Sequence, residues 1–323
     1  MDWRIKAAIQ NTLARLPPRL SYSAYYWLQR RYGALRQINP RSQIQAAIQI
    51  AHAIQENGGS LPGKTCMEIG TGRRLNLPLV MWLLGTDRVI TVDLNNYLKY
   101  ELIADDIVYI QSNTDQVLQN FDGLDYQASR LSQLLEFDTR KQSLDDLLTL
   151  ANIHYEAPAD ARNLTLKENS IHYHVSSNVF EHIPREILVE ILCEGSRIMS
   201  EQGLFVHCID HSDHFSHIDK TVLAVNFMQY NDRQWDRLAG NRYMYMNRLQ
   251  VDDFEDIFSE CDHEVLQVKA EPDSAILQKL HSSAISLNIR FANKPAETLA
   301  TLSSMFVSRP SSTSKLRSES SAA

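Results

Sequence analysis

The chain has 323 residues, of which 44% are hydrophobic and 22% charged, proportions typical of a globular protein with a sizeable core. The formal net charge of −7 excludes the basic character of a general nucleic-acid-binding protein. No apolar run reaches the length of a membrane span, and the N-terminus lacks the uninterrupted apolar core of a secretory signal. The four cysteines form no C-x-x-C pair, so we expect reduced thiols in a cytoplasmic protein.

The first 56 residues show a helical pattern, which Pro17-Pro18 interrupts, and we expect residues 1–56 to form a helical N-terminal cap on the domain that follows. The segment 19–36 combines four tyrosines and Trp27 with four arginines. One interpretation is a helical cap over a ligand pocket, and the alternative is peripheral contact with a membrane surface. The basic residues are not confined to one helical face, which favours the cap.

From residue 57 to residue 308 the chain alternates strand and helix patterns. This alternation predicts an α/β fold with a doubly wound, mostly parallel seven-stranded sheet and helices on both faces. Two long segments, 97–150 and 210–262, interrupt the alternation and are interpreted as inserts. The Ser-rich segment 309–323 has no apolar pattern, and we expect it to be a disordered tail.

A tight glycine turn, Gly70-Thr71-Gly72, follows the first predicted strand. Two glycines at such a turn let the backbone approach a ligand closely. A dinucleotide site of the G-x-G-x-x-G type would have a third glycine where Leu75 stands, so an NAD-dependent oxidoreductase is disfavoured. Glu68, two residues before the turn, suits a ligand that carries an ammonium or sulfonium group.

Asp93 ends the second predicted strand, 21 residues after Gly72. A carboxylate at this place can accept hydrogen bonds from both hydroxyls of a ribose. The alternative is that Glu68 and Asp93 only cap loops. Their combination at this spacing favours a cofactor site.

Four matches in order along the chain extend this pattern into a family resemblance. Residues 67–72, Met-Glu-Ile-Gly-Thr-Gly, resemble the first motif of the class I S-adenosylmethionine-dependent methyltransferases, and Asp93 resembles their ribose-binding acid. Residues 160–164, Asp-Ala-Arg-Asn-Leu, are similar to the loop after the third strand in that family. Residues 169–183, which end in Glu-His-Ile, resemble the fourth-strand motif of its small-molecule branch.

The resemblance implies a Rossmann-like methyltransferase fold with S-adenosylmethionine as cofactor. The methionine end of the cofactor would contact the glycine turn, and its ribose would contact Asp93. The adenine would contact the 160–164 loop, and the transferable methyl group would lie at the end of the fourth strand. The cofactor-binding residues that it implies are Glu68, Gly70, Thr71, Gly72, Asp93, Asp160, Ala161, Ser177 and Asn178.

The segment 207–219 follows the fifth predicted strand and is rich in histidine and aspartate. In an α/β sheet such a loop faces the ligand crevice. We interpret it as the source of a general base and of groups that orient the acceptor. The candidate catalytic residues are Asp210, His211, Asp213 and His214. The alternatives are a divalent metal site, which is disfavoured and not assigned, and a structural hydrogen-bond network.

The sequence therefore predicts an enzyme that transfers a methyl group from S-adenosylmethionine to a small-molecule acceptor, at an oxygen atom. Ser176-Ser177-Asn178-Val179 stands in place of an N-P-P-Y motif, which disfavours the branches that methylate adenine or glutamine amines. One alternative is a methyltransferase-like module that no longer catalyses and serves in binding or assembly. Sugar, polyketide, lipid and quinone acceptors all remain open.

Overall fold

The computed structural model describes residues 1–311, and its centre is one seven-stranded sheet. The strand order is β3-β2-β1-β4-β5-β7-β6. Strand β7 is antiparallel to both its neighbours, whereas the other pairs are parallel. This confirms the predicted fold class. The strands are β1 (Thr65–Ile69), β2 (Arg88–Val92), β3 (Ile153–Glu156), β4 (Ile171–Ser177), β5 (Met199–Asp210), β6 (His263–Lys269) and β7 (Ser303–Pro310).

Helices cover both faces of the sheet and form most of the remaining structure. The α-helices are α1 (Trp3–Ala14), α2 (Pro18–Tyr32), α3 (Arg41–Glu56), α4 (Asn76–Leu83), α5 (Tyr100–Ser112), α6 (Thr114–Leu118), α7 (Ala128–Glu136), α8 (Leu144–Leu150), α9 (Arg185–Ile198), α10 (Asp232–Ala239), α11 (Val251–Glu260), α12 (Ser274–His281) and α13 (Ala296–Ala300). Short 3-10 helices span Ala34–Arg36, Gln119–Phe121, Phe180–His182 and Asn226–Gln229.

The largest core lies between the sheet and the helices α3, α4 and α5. Every residue of α4 is buried, and Leu75, just before it, belongs to the same core. A leucine at this position is therefore explained by packing. The opposite face of the sheet packs against α9 and α11 through Leu192, Phe254 and Phe258.

The three N-terminal helices do not share one environment. Helix α3 lies in the main core, with Ile44, Ile50 and Ile54 buried against the sheet side. Helix α1 instead contributes Trp3 and Ala7 to a second core formed with the 210–262 insert and with α12 and α13. By packing, the predicted cap comprises α1 and α2, whereas α3 is part of the central α/β unit.

The two long segments differ in the helices that they contain. The predicted C-terminal tail begins two residues too early. Segment 97–150 contains α5 to α8, as expected for a helical insert, and 210–262 contains α10 and α11. Arg309 and Pro310 belong to β7, which corrects the expected boundary at 309. They pair with β6 through the backbone, which needs no apolar pattern in the sequence. The rest of the predicted tail, from residue 312 onward, lies outside the described residues.

Candidate functional site

The strand order reverses between β1 and β4, which are neighbours in the sheet. On one side of this point the order continues to β2 and β3, and on the other to β5. Open α/β sheets bind ligands in the crevice beyond the carboxyl ends of the strands at such a point. The glycine turn follows β1, and Ser177 and Asn178 lie at the end of β4. The two predicted cofactor segments therefore meet at the crevice.

The two glycines of the turn have different surroundings. Both have a positive φ, +84° at Gly70 and +64° at Gly72. A Cβ atom at Gly70 would lie 2.5 Å from Cγ2 of Val179, the residue after Asn178. A Cβ atom at Gly72 would meet nothing within 4 Å. Gly70 is thus required for packing of the β4 loop, whereas Gly72 leaves open space that a ligand can occupy.

Glu68 is a buried carboxyl group on β1, with only 6% of its surface exposed. The Thr91 hydroxyl donates a hydrogen bond of 2.5 Å to Glu68 Oε2 and lies 2.5 Å from the Thr71 hydroxyl. Burial raises the pKa of Glu68 to about 8, opposed by the Thr91 hydrogen bond and reinforced by the charge of Asp93. A cationic ligand in the crevice would favour the ionised form of this group.

Asp93 is the first residue after β2, and it does cap loops. Its Oδ2 accepts a hydrogen bond from the Gly72 backbone N–H and its Oδ1 one from the Asn95 N–H, both at 2.9 Å. Burial raises the pKa of Asp93, and these two hydrogen bonds oppose that effect. Each carboxylate oxygen offers two lone pairs, so one acceptor site per oxygen is left for a ribose hydroxyl. Capping and ribose binding are therefore compatible.

The predicted adenine loop lies beside Asp93, because the Ala159 N–H donates to the Asp93 carbonyl at 2.9 Å. The Asp160 carboxylate is already paired with Arg162, at 2.6 Å to Nη2 and 3.0 Å to Nε. Arg162 also contacts Glu190 at 3.0 Å. Ala161 packs against the apolar cluster that contains Met67. The Arg162 guanidinium therefore competes with an adenine amino group for the Asp160 carboxylate.

Helix α2 carries an aromatic group toward the glycine turn. The Tyr22 ring lies edge-on to Tyr97, at 5.3 Å, and to Tyr243, at 5.9 Å. The guanidinium of Arg73, directly after the turn, lies 5.4 Å from the Tyr26 ring centroid and 5.9 Å from that of Tyr97. These contacts favour the interpretation of 19–36 as a cap. Within residues 1–311, no helix has both the length and the apolarity that crossing a membrane requires.

A cleft of about 640 Å³ adjoins the end of β4. It lies between α3 and the ends of β4, β5 and β7, and includes both Ser177 and Asn178. Its other lining residues are Ala46, Gln49, His52, Glu56, Cys208, Ile209, Lys269, Ser303, Ser304 and Met305. Most of these side chains are polar, so the cleft suits a polar small molecule.

Two of the four candidate catalytic residues, Asp210 and His214, lie together at the end of β5. His214 Nε2 is 3.3 Å from Asp210 Oδ2, and His217 Nε2 is 3.5 Å from the same oxygen. Burial acts to raise the pKa of Asp210, but His214 and two hydrogen bonds from Ser212 outweigh it and lower the pKa to about 2. Asp210 pairs with the cleft residue Ser303 in the β5–β7 register. This pair therefore borders the cleft.

His211 and Asp213 point into structural contacts. His211 is buried, with Nδ1 3.0 Å from the Leu249 carbonyl oxygen and Nε2 2.8 Å from the Ser304 hydroxyl. Asp213 is fully buried and accepts hydrogen bonds from the Phe215 N–H and the Asn226 amide. Burial raises the pKa of Asp213 to about 6, against those hydrogen bonds. These contacts favour the structural alternative for both residues, because their polar atoms are engaged.

His207, at the start of the same segment, lies inside the core. It is fully buried, its ring stacks on Phe180 at 4.1 Å, and Nδ1 is 2.8 Å from the Ser176 hydroxyl. His174 lies beside it, with Nδ1 3.2 Å from His207 Nε2. Burial lowers the pKa of His207 well below its usual value, so the ring is neutral. These histidines belong to the packing of the sheet against α9.

Two residues that lie beside His214, Glu181 and His182, are not among the site residues predicted from the sequence. They lie in the 3-10 helix after β4, and the His182 ring is 4.9 Å from the His214 ring. In the sequence they stand only within the Glu-His-Ile ending of the stretch 169–183. A signal was present, because β4 and β5 are adjacent parallel strands whose carboxyl ends share one edge. The loops after them must therefore meet.

No family model matches the chain, and no curated protein matches it. Among solved structures, a putative sarcosine dimethylglycine methyltransferase from Galdieria sulphuraria is 12% identical, with a TM-score of 0.47 over 89% of this chain and 97% of that one. Geranyl diphosphate C-methyltransferase from Streptomyces coelicolor is 10% identical, with a TM-score of 0.44 over 81% and 78%. An S-adenosylmethionine-dependent methyltransferase from Mesorhizobium loti is 13% identical, with a TM-score of 0.43 over 80% and 96%. At these values the likeness assigns no activity to this chain.

Proposed function

We propose that the protein is an enzyme that transfers a methyl group from S-adenosylmethionine to an oxygen of a small-molecule acceptor. The observation that carries the proposal is the meeting of Glu68, Gly72 and Asp93 in one crevice at the strand reversal point. A buried carboxyl group suits the cationic end of this cofactor, and Asp93 retains acceptor sites for its ribose. Open space at Gly72 lets the backbone approach it.

The reaction needs positioning and the removal of one proton. The acceptor oxygen attacks the methyl carbon, an O–C bond forms, the C–S bond breaks, and the sulfonium becomes the neutral thioether of S-adenosylhomocysteine. The hydroxyl proton passes to the Asp210–His214 pair or to solvent. The pair lies at the end of β5, directly beside β4 in the sheet. It therefore borders the space where the acceptor would lie.

The cleft between α3 and the sheet is the proposed acceptor site. It reaches Ser177 and Asn178, at the end of the strand that neighbours β1 and its glycine turn. Its polar lining includes Gln49, His52 and Ser303, which can form hydrogen bonds with a hydroxylated acceptor.

Calorimetric titration with S-adenosylmethionine tests the cofactor assignment. We expect wild-type protein to bind it and Asp93→Ala to bind it much more weakly. Absence of wild-type binding, or equal binding by the variant, would contradict the proposal. Titration with NADH, followed by nicotinamide fluorescence, distinguishes the oxidoreductase alternative.

Transfer of labelled methyl from S-adenosylmethionine into a cell extract tests catalysis. We expect labelled small molecules with wild-type protein and a loss of label with Asp210→Asn, because removing a catalytic base lowers rates by roughly 100-fold or more. Cofactor binding without any transfer would support the non-catalytic binding module instead.

A further inference from the structure

Three side chains with free donor atoms converge beside the cleft. One ligand atom each from Glu181, His182 and His214 lie within 4.8 Å of one another. Glu181 and His182 come from the 3-10 helix after β4, and His214 comes from the loop after β5. Residues 32 positions apart in sequence are therefore brought together by the pairing of the two strands.

Glu181 is the unusual member of this group. Its side chain is almost completely buried, and neither carboxylate oxygen has a hydrogen-bond partner of normal geometry within residues 1–311, although the backbone N–H groups of Glu181 and Asp210 lie near enough to lower its pKa. A carboxyl group buried without a good hydrogen-bond partner is unfavourable. Burial raises the pKa of the Glu181 carboxyl group well above its usual value, and the charge of Asp210 adds to this rise. A second carboxylate nearby makes a cation the partner that fits.

His182 presents a nitrogen lone pair to this place, and His214 offers a ring nitrogen there. His182 Nδ1 lies 2.7 Å from the Tyr245 carbonyl oxygen, which only accepts hydrogen bonds, so Nδ1 carries the proton. Nε2 is then the lone-pair nitrogen, and it lies 3.9 Å from Glu181 Oε1. His214 Nε2 also has no hydrogen-bond partner among the described residues, although Asp210 Oδ2 is 3.3 Å away. Metal-binding histidines commonly show such a carbonyl contact on the other nitrogen.

We propose that Glu181, His182 and His214 form a binding site for a divalent first-row transition-metal cation, with Asp210 next to it as a further carboxylate. Donors bound at about 2.1 Å to one tetrahedral ion are about 3.4 Å apart. The donor atoms of Glu181, His182 and His214 lie within 4.8 Å of one another, so they need to approach by as much as roughly 1.4 Å when an ion binds. Two imidazoles with carboxylates favour manganese, iron or zinc over magnesium and calcium.

The role of the ion rests on the proposed methyl transfer, whereas its binding does not. A bound divalent cation lowers the pKa of a coordinated hydroxyl group and so supplies the alkoxide at neutral pH. The proton leaves to solvent or to Asp210, and the oxygen attacks the sulfonium methyl as described above. Asp210 is paired in register with Ser303, so the site adjoins the cleft that would contain the acceptor.

Mn²⁺ binding measured by electron paramagnetic resonance tests the site directly. Protein treated with EDTA and dialysed is titrated with manganese chloride, and the signal of free Mn²⁺ is recorded. We expect one ion per chain for the wild type and at least a tenfold weaker affinity for Glu181→Gln and for His214→Gln. His281→Gln, an exposed histidine at the end of α12, is the matched control and should bind as the wild type does.

Circular dichroism establishes that each variant is folded, and His214→Gln serves alone if Glu181→Gln does not fold. No stoichiometric wild-type binding, or binding that His214→Gln leaves unchanged, would overturn the proposal. Calorimetry with S-adenosylmethionine in EDTA separates the two proposals. Cofactor binding without Mn²⁺ binding contradicts only the metal site, and Mn²⁺ binding without cofactor binding contradicts only the proposed function.

Discussion

The two halves of the crevice are built in opposite ways. On the β1–β2 side, Glu68, the glycine turn and Asp93 come from 26 consecutive residues, and their contacts are largely to each other. On the β4–β5 side, the group around Glu181 and His214 draws on two separate loops and on the Tyr245 carbonyl of the insert. The first half is a local motif, and the second is an assembly of distant segments.

This difference determines how each half responds to substitution. In the local half, one residue often has two tasks, as Asp93 caps the turn and retains sites for a ribose. In the assembled half, neighbouring residues in sequence have separate tasks, because His211 and Asp213 fix the insert while Asp210 and His214 face each other. The following changes test that contrast.

The largest change in the free energy of unfolding is expected from Glu68→Gln, and this change should depend on pH. The folded-state pKa of Glu68, about 8, exceeds the ordinary value of 4.5, so folding favours the protonated form. Its stabilisation is complete below pH 4.5 and is lost as pH rises toward 8. Glutamine mimics the protonated acid, so the variant should match the wild type at pH 5 and exceed its unfolding free energy by roughly 4 kcal/mol at pH 9. Urea unfolding at both pH values, with the exposed Glu255→Gln as control, measures this.

The two glycines of the turn provide a matched pair. Gly70→Ala places a Cβ against Val179 and forces a positive φ on alanine, so we expect about 3 kcal/mol of destabilisation. Gly72→Ala meets open space and should cost only the conformational part, about 1 kcal/mol. Equal losses of unfolding free energy in the two variants, measured with urea, would show that the Val179 side chain moves aside at little cost.

Asp93→Ala should weaken S-adenosylmethionine binding by about 30- to 100-fold, since it removes charged acceptors for the ribose and the support of the Gly72 N–H. Calorimetry at constant pH gives the ratio. Asp93→Asn keeps one acceptor oxygen, so its affinity for S-adenosylmethionine should lie between those of the wild type and Asp93→Ala. If it binds as weakly as Asp93→Ala, the charge of the carboxylate contributes most of the affinity.

His211→Asn should destabilise the protein by about 2 kcal/mol, because a buried ring with hydrogen bonds on both nitrogens is lost. The affinity for S-adenosylmethionine should stay within about twofold of the wild type. Thermal unfolding and calorimetry measure the two quantities, with exposed His281→Asn as control. A large loss of affinity for S-adenosylmethionine without a loss of thermal stability would favour a functional role for His211 over the structural one.

The smallest effect is expected for Asp160→Ala. Its carboxylate is already paired with Arg162, so an adenine contact would compete with that pair and contribute less than about 1 kcal/mol. Calorimetry should show a change below about fivefold. A loss as large as that of Asp93→Ala would mean that Arg162 releases the carboxylate when the cofactor binds.

The sequence predicted the local half well because its signals are short-range. Strand β1, the glycine turn and Asp93 follow from apolar runs, glycine pairs and spacing, all within one segment. The assembled half depends on which strands are neighbours, and periodicity does not specify that. The sequence gives no reason to assign different roles to His211 and His214. In the structure their contacts differ, because His211 lies against the Leu249 carbonyl and His214 lies against Asp210. The role of α3 was missed for the same reason, since its partners lie on the sheet.

The contact between Val179 and Gly70 has a thermodynamic consequence. Val179 packs on the glycine turn and lies two residues before Glu181, in the loop that carries the proposed metal site. We therefore expect a ligand that shifts the turn to shift this loop as well. Because such coupling is reciprocal, a cation bound at Glu181 and a cofactor bound at Gly72 should alter each other's affinity by the same factor. A single valine thus links occupancy of one site to occupancy of the other.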